Sequence, residues 1–291
     1  MNQYKYSLDR SSKKFICPRC NQQTFVRYIE NATGSYLDEG FGRCDRETKC
    51  AYHNPPKNTK GGFFVCCKPK PKPSFHSFEL LKSSFSENEK NNFIEFLKTL
   101  FTEEQVSEVV SKYFIGTSKR YKGATIFWQI DNAENIHAGK ILQYIAETGK
   151  RAKTQDGKAM INWVHSINKV KEFNLEQCLF GLHLINESNQ KTIAIVESEK
   201  TAVIMSVFKP EYIWLATGSK QGFKQSMLEP VKQFKIVAFP DKSEYEDWNQ
   251  RAIGLNTKGF KISVSDWIEK TDLDTGSDLA DVFINESLAS K

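Results

Sequence analysis

Two sets of residues in this 291-residue chain have the types and spacing to do chemistry, and they lie far apart in sequence. The first set is sulfur. Cys17-Pro-Arg-Cys20 is followed after 23 residues by Cys44, and then by Cys50 and His53. A Cys-x-x-Cys turn presents two thiolates to one ion, and a second pair completes the tetrahedral set that a structural Zn2+ prefers. Cys50 and His53 compete for the fourth position, with Cys50 favoured as the thiolate and His53 as a substitute or a supporting group. Phe25, Val26, Tyr28, Ile29 and Phe41 read as the strands of a small ribbon between the two knuckles, with too little core to fold without metal. Cys66 and Cys67 come later and side by side, which suits ordinary strand-end residues better than ligands, and Cys178 lies among apolar neighbours as a buried thiol.

The second set is acidic. Glu197 ends the apolar run TIAIVE and Asp241 ends KIVAFPD, while Asp278 and Asp281 stand in GSDLADVFI ahead of an apolar helix. In parallel α/β sheets the carboxyl ends of the strands are where sites assemble. Carboxylates delivered there from separate strands can hold Mg2+, a hard ion that takes oxygen ligands, and so stabilise charge developing in phosphoryl transfer. The plainer reading of each acid is a helix cap. Two apolar strands that both end in an acid favour the metal site. Lys200 is expected on the first turn of the helix after Glu197, where it meets a phosphate or only solvent. Gly218, in LATGSKQG, offers backbone amides that can face an anion.

The elements that must position these groups follow from periodicity. Residues 1–67 are short of helix signals and end at KPKPKPS, whose alternating Lys and Pro favour an extended linker over 68–75. Apolar residues then recur at spacings of three and four through FHSFELLKSSFSENEKNNFIEFLKTLFTEEQVSEVVSKYF, which predicts two or three short helices with Ser and Thr caps. ATIFWQID and GKILQYIAE flank the turn-like DNAEN and predict a hairpin. The last third alternates strands (TIAIVE, YIWLAT, KIVAFPD, KISVSDW) with helices (KTAVIMSVF, SMLEPVKQF, EDWNQRAIGLNTKG), the pattern of βαβ units and a parallel sheet. The predicted class is therefore α/β, with a zinc β-ribbon over 1–67, a mixed α+β region over 76–190 and a parallel-sheet domain over 191–291.

Composition sets the outer bounds. With 39% hydrophobic and 12% aromatic residues the chain can bury a sizeable core. No run approaches the ~18 apolar residues of a membrane span, and the opening MNQYKYSLDR lacks the apolar stretch of a secretion signal. A soluble, cytoplasmic protein with reduced thiols is expected, since six of seven cysteines cluster before residue 68 at metal-ligand spacing. The net charge of +6 is uneven: residues 1–75 carry 14 Lys and Arg against 6 Asp and Glu. A basic head points to a polyanion, most simply nucleic acid. Arg19, Arg27, Arg43, Arg46 and Lys49 surround the sulfur cluster and are placed to contact phosphates.

Ribbon, linker, mixed α/β region, strand-Glu and strand-Asp in that order resemble the bacterial replicative primases, in which a zinc-binding domain precedes a core built on a Toprim fold. KYFIGTSKRYKGATIFWQID is similar to the stretch leading into that core, and QCLFGLHLI to the segment ahead of the Toprim domain. IVESEKTAVIMS resembles the Toprim glutamate motif, LATGS its second strand, FPDKS its aspartate motif and SDLADVFI its later acidic motif. More narrowly, the combination resembles primase-like Toprim proteins of Bacteroidetes genomes and mobile elements. The resemblance implies a general acid/base or metal-associated role for Glu197, Mg2+ ligation by Asp241 and Asp278 with Glu197, and contacts of Lys119, Arg120, Lys122 and Lys140 with nucleotide or template. It implies primer synthesis on single-stranded DNA from nucleotides, with a separate replicative helicase as a partner.

Several features depart from that pattern. The usual Asp-x-Asp reads Asp241-Lys242-Ser243, the residue after the glutamate is Ser198 rather than Gly, and the second zinc pair is not a Cys-x-x-Cys. No GxxxxGK[ST] loop marks a fused helicase. A weakly catalytic nucleic-acid-binding protein of a mobile element, or a Toprim nuclease, is the alternative.

Overall fold

The computed structural model describes residues 4–46, 49–56, 72–154, 156–186 and 192–289. Cys66, Cys67 and most of the Lys-Pro segment lie outside the described residues. The chain divides into two compact units, 1–71 and 72–291.

In the first unit β1 (Tyr6–Leu8), β2 (Phe25–Glu30), β3 (Gly42–Cys44) and β4 (His53–Asn54) pair antiparallel in that order. Their buried core is Cys17, Phe25, Cys44 and Cys50, flanked by Phe15, Cys20 and Tyr52.

The second unit begins with α1 (Phe78–Ser83), α2 (Asn92–Leu100) and α3 (Glu103–Lys112). Ser77 and Asn91 cap the first two through their side chains, and Thr102 with Gln105 forms a reciprocal capping box on the third. An antiparallel sheet follows, with β5 (Gly116–Thr117), β6 (Thr125–Ile130), β7 (Ile136–Leu142) and β8 (Ile161–Trp163) in sequence order, and then the short α4 (Val164–Ile167). Both faces of this sheet are buried because side chains alternate along β6. Phe127 joins the main core, while Ile126, Trp128 and Ile130 join a smaller cluster on the opposite face.

The remaining elements alternate: β9 (Thr192–Val196), α5 (Glu199–Phe208), β10 (Ile213–Ala216), α6 (Gln225–Leu228), β11 (Lys235–Ala238), α7 (Tyr245–Asn256), β12 (Lys261–Val264) and α8 (Leu279–Ala289). The four strands are parallel in the order β10-β9-β11-β12. Burial on both faces explains why their sequences are nearly continuous apolar runs. The helix expected over SMLEPVKQF is shorter than its pattern, because Pro230 interrupts it and Glu229–Val231 continues only as a 3₁₀ turn. A single apolar core runs from Phe93 to Ala280, so regions 76–190 and 191–291 share it. No helix among the described residues is long and apolar enough to cross a membrane.

Residues 72–77 are laid along the antiparallel sheet. The His76 amide donates to the Ile136 carbonyl at 2.8 Å and Ser74 to Asn174 at 3.0 Å. The His76 ring stacks on Phe173 at 4.7 Å and meets the edge of Trp128, with His165 beside it and the His137–Asp131 pair beyond Phe75. Burial, helped by His165, holds this imidazole down at about 4 from an ordinary 6.5. The unfolded chain therefore takes up a proton near 6.5 and the folded chain only near 4, so this contribution to stability is complete above 6.5 and is lost as pH falls towards 4. A thermal-melt series is expected to show a Tm that falls through this window, with a flatter fall in His76→Phe. Identical slopes would refute it.

Candidate functional site

The cysteines converge although they come from separate loops and a strand end. Cys17 and Cys20 occupy the turn before β2, where the Cys17 amide donates to the Gln22 carbonyl at 2.8 Å. Cys44 ends β3, and Cys50 follows a turn in which its amide donates to Arg46 at 2.7 Å. The Cys17 and Cys50 sulfurs are 3.7 Å apart and those of Cys20 and Cys44 are 3.9 Å apart. A Zn–S bond of ~2.3 Å in a tetrahedron requires about 3.8 Å between sulfurs, so the quartet has the size of a zinc site and not of two disulfides. Among the described residues it is the set whose ligand atoms all lie within 4.8 Å of one another. Within the quartet the Gln22 amide draws the Cys20 thiol down, while burial pushes the Cys50 thiol up. His53 is not part of the quartet. It is exposed on β4, and its Nε2 is 3.1 Å from the Tyr28 hydroxyl.

Of the basic residues around this cluster, Arg19 donates from Nη1 to the Cys50 carbonyl at 2.8 Å and so ties the two knuckles together. Arg43 sits in mid-strand on β3, between Val26 of β2 and His53 of β4. Arg27 lies over the rings of Phe15 and Tyr36 at 5.1 and 5.3 Å.

In the second unit Glu197 follows β9 directly and Asp241 stands three residues beyond β11, on neighbouring strands. The chain leaves β9 towards β10 and returns on its other side as β11, so these acids flank the point where the strand order switches. Asp278 joins them from the start of α8. Its Oδ1 accepts the Asp281 amide at 3.1 Å, Asp281 accepts its amide in return, and its Oδ2 accepts the Thr201 hydroxyl at 2.5 Å. Asp278 thus caps its helix as well as facing the other acids. Burial, followed by the charges of Asp278, Glu197 and Asp281, pushes the Asp241 carboxyl up to about 8. Glu197 is raised too, by burial and by Glu244, against an opposing hydrogen bond from the Lys220 amide. Such mutual repulsion marks a place that a cation would relieve. The carboxylates are hard oxygen donors fit for Mg2+, although their oxygens are not drawn together as tightly as the sulfurs.

The expected cations divide. Lys200 lies 3.8 Å from Asp281 and belongs to the acidic group. Lys140 does not face outward: its side chain is 7% exposed, and its ammonium lies 2.9 and 3.1 Å from the two carboxylate oxygens of Glu199. It also donates to the Gly218 carbonyl at 2.7 Å, while the Gly218 amide is spent on the Glu197 carbonyl. Glycine is required there, since φ is +74° and a Cβ would lie 3.0 Å from Glu199 Oε1. Lys119 and Arg120 are exposed on the turn between β5 and β6. They line a cavity with Ile126, Trp128 and Ile141, on the sheet face opposite Phe127 and its register partner Lys140. Lys122 is exposed on the same turn. Lys242, beside Asp241, directs its ammonium to the Thr271 carbonyl.

Sequence reasoning missed two features. Glu199, fully buried, is two residues from Glu197 and looks in sequence like a solvated helix charge. Arg151 stands on an exposed arm after β7, fixed by Ile145–Lys150 and Ala152–Gln143 backbone bonds of 2.9 and 2.8 Å. Its positive charge reaches both Glu197 and Asp241. Neighbouring Lys150, Arg151 and Lys153 were the available signal.

Comparison with known proteins places these features in context. A zinc beta-ribbon finger profile matches residues 4–62. No curated protein sequence matches the chain. Among solved structures, the chain is similar to the primase fragment of the bacteriophage T7 primase-helicase, at 13% identity and a TM-score of 0.44 over 95% of this chain and 97% of that one. It is similar also to the E. coli primase catalytic core, at 12% identity and a TM-score of 0.45 over 73% and 76%. The Aquifex aeolicus primase, spanning zinc-binding and RNA polymerase domains, matches at 11% identity and a TM-score of 0.42 over 96% and 77%. At TM-scores below 0.5 these likenesses assign no role to any residue. A sequence profile covering residues 91–242, more than half of the chain, does fix a family: the protein belongs to the family described as domain of unknown function DUF6371.

Proposed function

We propose that this protein is a primase-like, Toprim-type nucleotidyltransferase that joins nucleotides on a single-stranded DNA template with Mg2+. The observation that carries the reading is the placement of Glu197 and Asp241 at the carboxyl ends of neighbouring parallel strands, with Asp278 at the start of α8 and Asp241 raised to about 8 by burial and its acidic neighbours. The sequence motifs around those acids agree with it. Mg2+ held by these three carboxylates supplies charge stabilisation for phosphoryl transfer. Glu197, raised by burial, is suited to take a proton from an attacking hydroxyl. Arg151, Lys200 and the exposed arm supply positive charge for phosphates. The Lys140–Glu199 pair holds the first turn of α5, and with it the neighbouring Glu197. The ribbon over 1–67 is read as the template-binding head, with aromatic rings and arginines that can stack on or grip a single strand. The cytoplasm is its setting, and a separate helicase, encoded with it on a mobile element, is its natural partner class.

The test is Mg2+-dependent incorporation of labelled ribonucleotides on single-stranded template by the purified protein. Product is expected from the wild type, and a fall of about 100-fold or more with Glu197→Gln. A second reading has its own observation: Ser243 stands where a further aspartate is usual, so one acidic ligand is missing. Template binding without product in Mg2+ or Mn2+ would favour a binding protein, and shortened template without new oligomer would favour a nuclease.

A further inference from the structure

Lys242 is bonded in a way that a surface lysine beside Asp241 has no need to be. The segment that carries Asp278 to the acidic group, 271–278, contains no helix or strand. It leaves the short 3₁₀ turn Ile268–Lys270 and enters α8. A stretch with no ladder of its own takes its course from whatever holds its ends. Both ends are held by Lys242. At the entrance the Lys242 ammonium donates to the Thr271 carbonyl. At the exit the Lys242 amide donates to the Ser277 carbonyl at 2.8 Å, and its carbonyl accepts the Gly276 amide at 3.1 Å. The chain turns at Gly276, where φ is +84°. Asp278 follows at once and is 8% exposed. Glu269, just ahead of the segment, accepts the amides of Ser243 and Tyr245 and ties the same turn to it again. The other bonds of Asp278 go to the Thr201 hydroxyl and to Asp281, and neither reaches the turn after β11.

The direction of the side chain separates two roles. A lysine that aimed its charge at the carboxylates would compete with a cation for them. Lys242 is half-buried, its ammonium lies on a main-chain carbonyl, and among the described residues it enters no ion pair. We infer that Lys242 is a positioning residue of the acidic centre: by closing the loop 271–277 at both ends it brings Asp278 to Asp241 and so sets the affinity for a divalent cation. The cation rests on the Mg2+ reading above; the clasp on the loop does not. Removing the ammonium then has two opposed effects, a gain from the lost positive charge and a larger loss from the freed carboxylate.

The test compares the full chain with Lys242→Met, which keeps the stem and removes the donor. Amide hydrogen exchange is expected to rise about tenfold over 272–281, with the rest of the parallel sheet unmoved. Titration with Mn2+, followed by electron paramagnetic resonance, should show affinity lowered about tenfold, as when a residue that orients metal ligands is lost. A purely electrostatic role predicts the opposite sign, since loss of a nearby positive charge strengthens cation binding. Lys242→Arg keeps a donor for the one carbonyl and is expected to recover most of the loss. Lys270→Met removes an exposed charge paired with Asp266 and should stay within about twofold of wild type. Unchanged exchange in Lys242→Met overturns the clasp, because Thr201 and the helix cap would then suffice to hold Asp278. Faster exchange with Mn2+ affinity equal to wild type or tighter overturns the positioning role, as does equal weakening by Lys270→Met. A wild type that binds no Mn2+ removes the Mg2+ reading, and exchange alone then decides whether Lys242 holds the loop.

Discussion

Stripped of zinc, the ribbon is expected to unfold while residues 72–291 keep their structure. The strands of the ribbon are two to six residues long, and apart from three cysteines its buried cluster holds only Phe25. Full burial of such a side chain contributes about 1.5–3 kcal/mol. A structural zinc adds an apparent ~10–16 kcal/mol at neutral pH, which is the largest single term available to this unit. The second unit has its own core and none of the four ligands. Elemental analysis should find one zinc per chain in the wild type and in His53→Ala, and none in Cys44→Ser. Calorimetry should show one transition lost on chelation and the other unmoved. A chelated protein with both transitions intact would disprove the metal's role, and zinc loss in His53→Ala would return that histidine to the ligand set.

The second large effect is expected at the Lys140–Glu199 pair, whose side chains are 7% and 0% exposed. Glu199→Gln leaves a buried ammonium without its counter-charge, and removing one partner of such a pair costs about 3–5 kcal/mol. For a unit of this size 1 kcal/mol moves Tm by about 2–4 °C, so a fall of roughly 6–20 °C is expected. The double variant Lys140→Met, Glu199→Leu removes both charges and should recover most of the loss, because an apolar pair of similar volume can replace a buried ion pair. Additive losses in the double variant would show that the two residues act independently. Recovery of stability without recovery of nucleotide incorporation would separate the pair's role in α5 geometry from its role in folding.

What could be read from the sequence was whatever local spacing encodes. The Cys-x-x-Cys turn, the capping residues Thr102 and Gln105, and the alternation of apolar strands with helices are all short-range patterns. Lys140 and Glu199 are 59 residues apart and meet only because the fold brings a side chain of β7 to the first turn of α5. Nothing in either local segment marks a buried charge, so Glu199 reads as a solvated residue. Lys119 and Lys140 look alike in sequence, yet the pleat and the β5–β6 turn send them to different faces. The break of the helix expected over 226–234 was visible as Pro230, but its apolar spacing pointed the other way, and the missing backbone donor prevailed. Side-chain direction across a sheet is set by register, and a one-residue change in register reverses it.

Ser243 illustrates how the fold bears on the history open to this family. Its φ is +79°, and the Glu269 carboxylate accepts its amide at 2.8 Å and that of Tyr245 at 3.3 Å. Aspartate and asparagine tolerate such a left-handed backbone better than most residues. Gaining an aspartate at 243 would therefore ask little of the main chain, but it would set a second negative charge beside Glu269. The effect of that substitution is contingent on its neighbour: a lineage in which residue 269 first became neutral could acquire the extra acid readily, whereas one that kept Glu269 would meet electrostatic resistance. Positions 243 and 269 are in that sense epistatic, and the order in which they change governs which acidic centres this fold can reach.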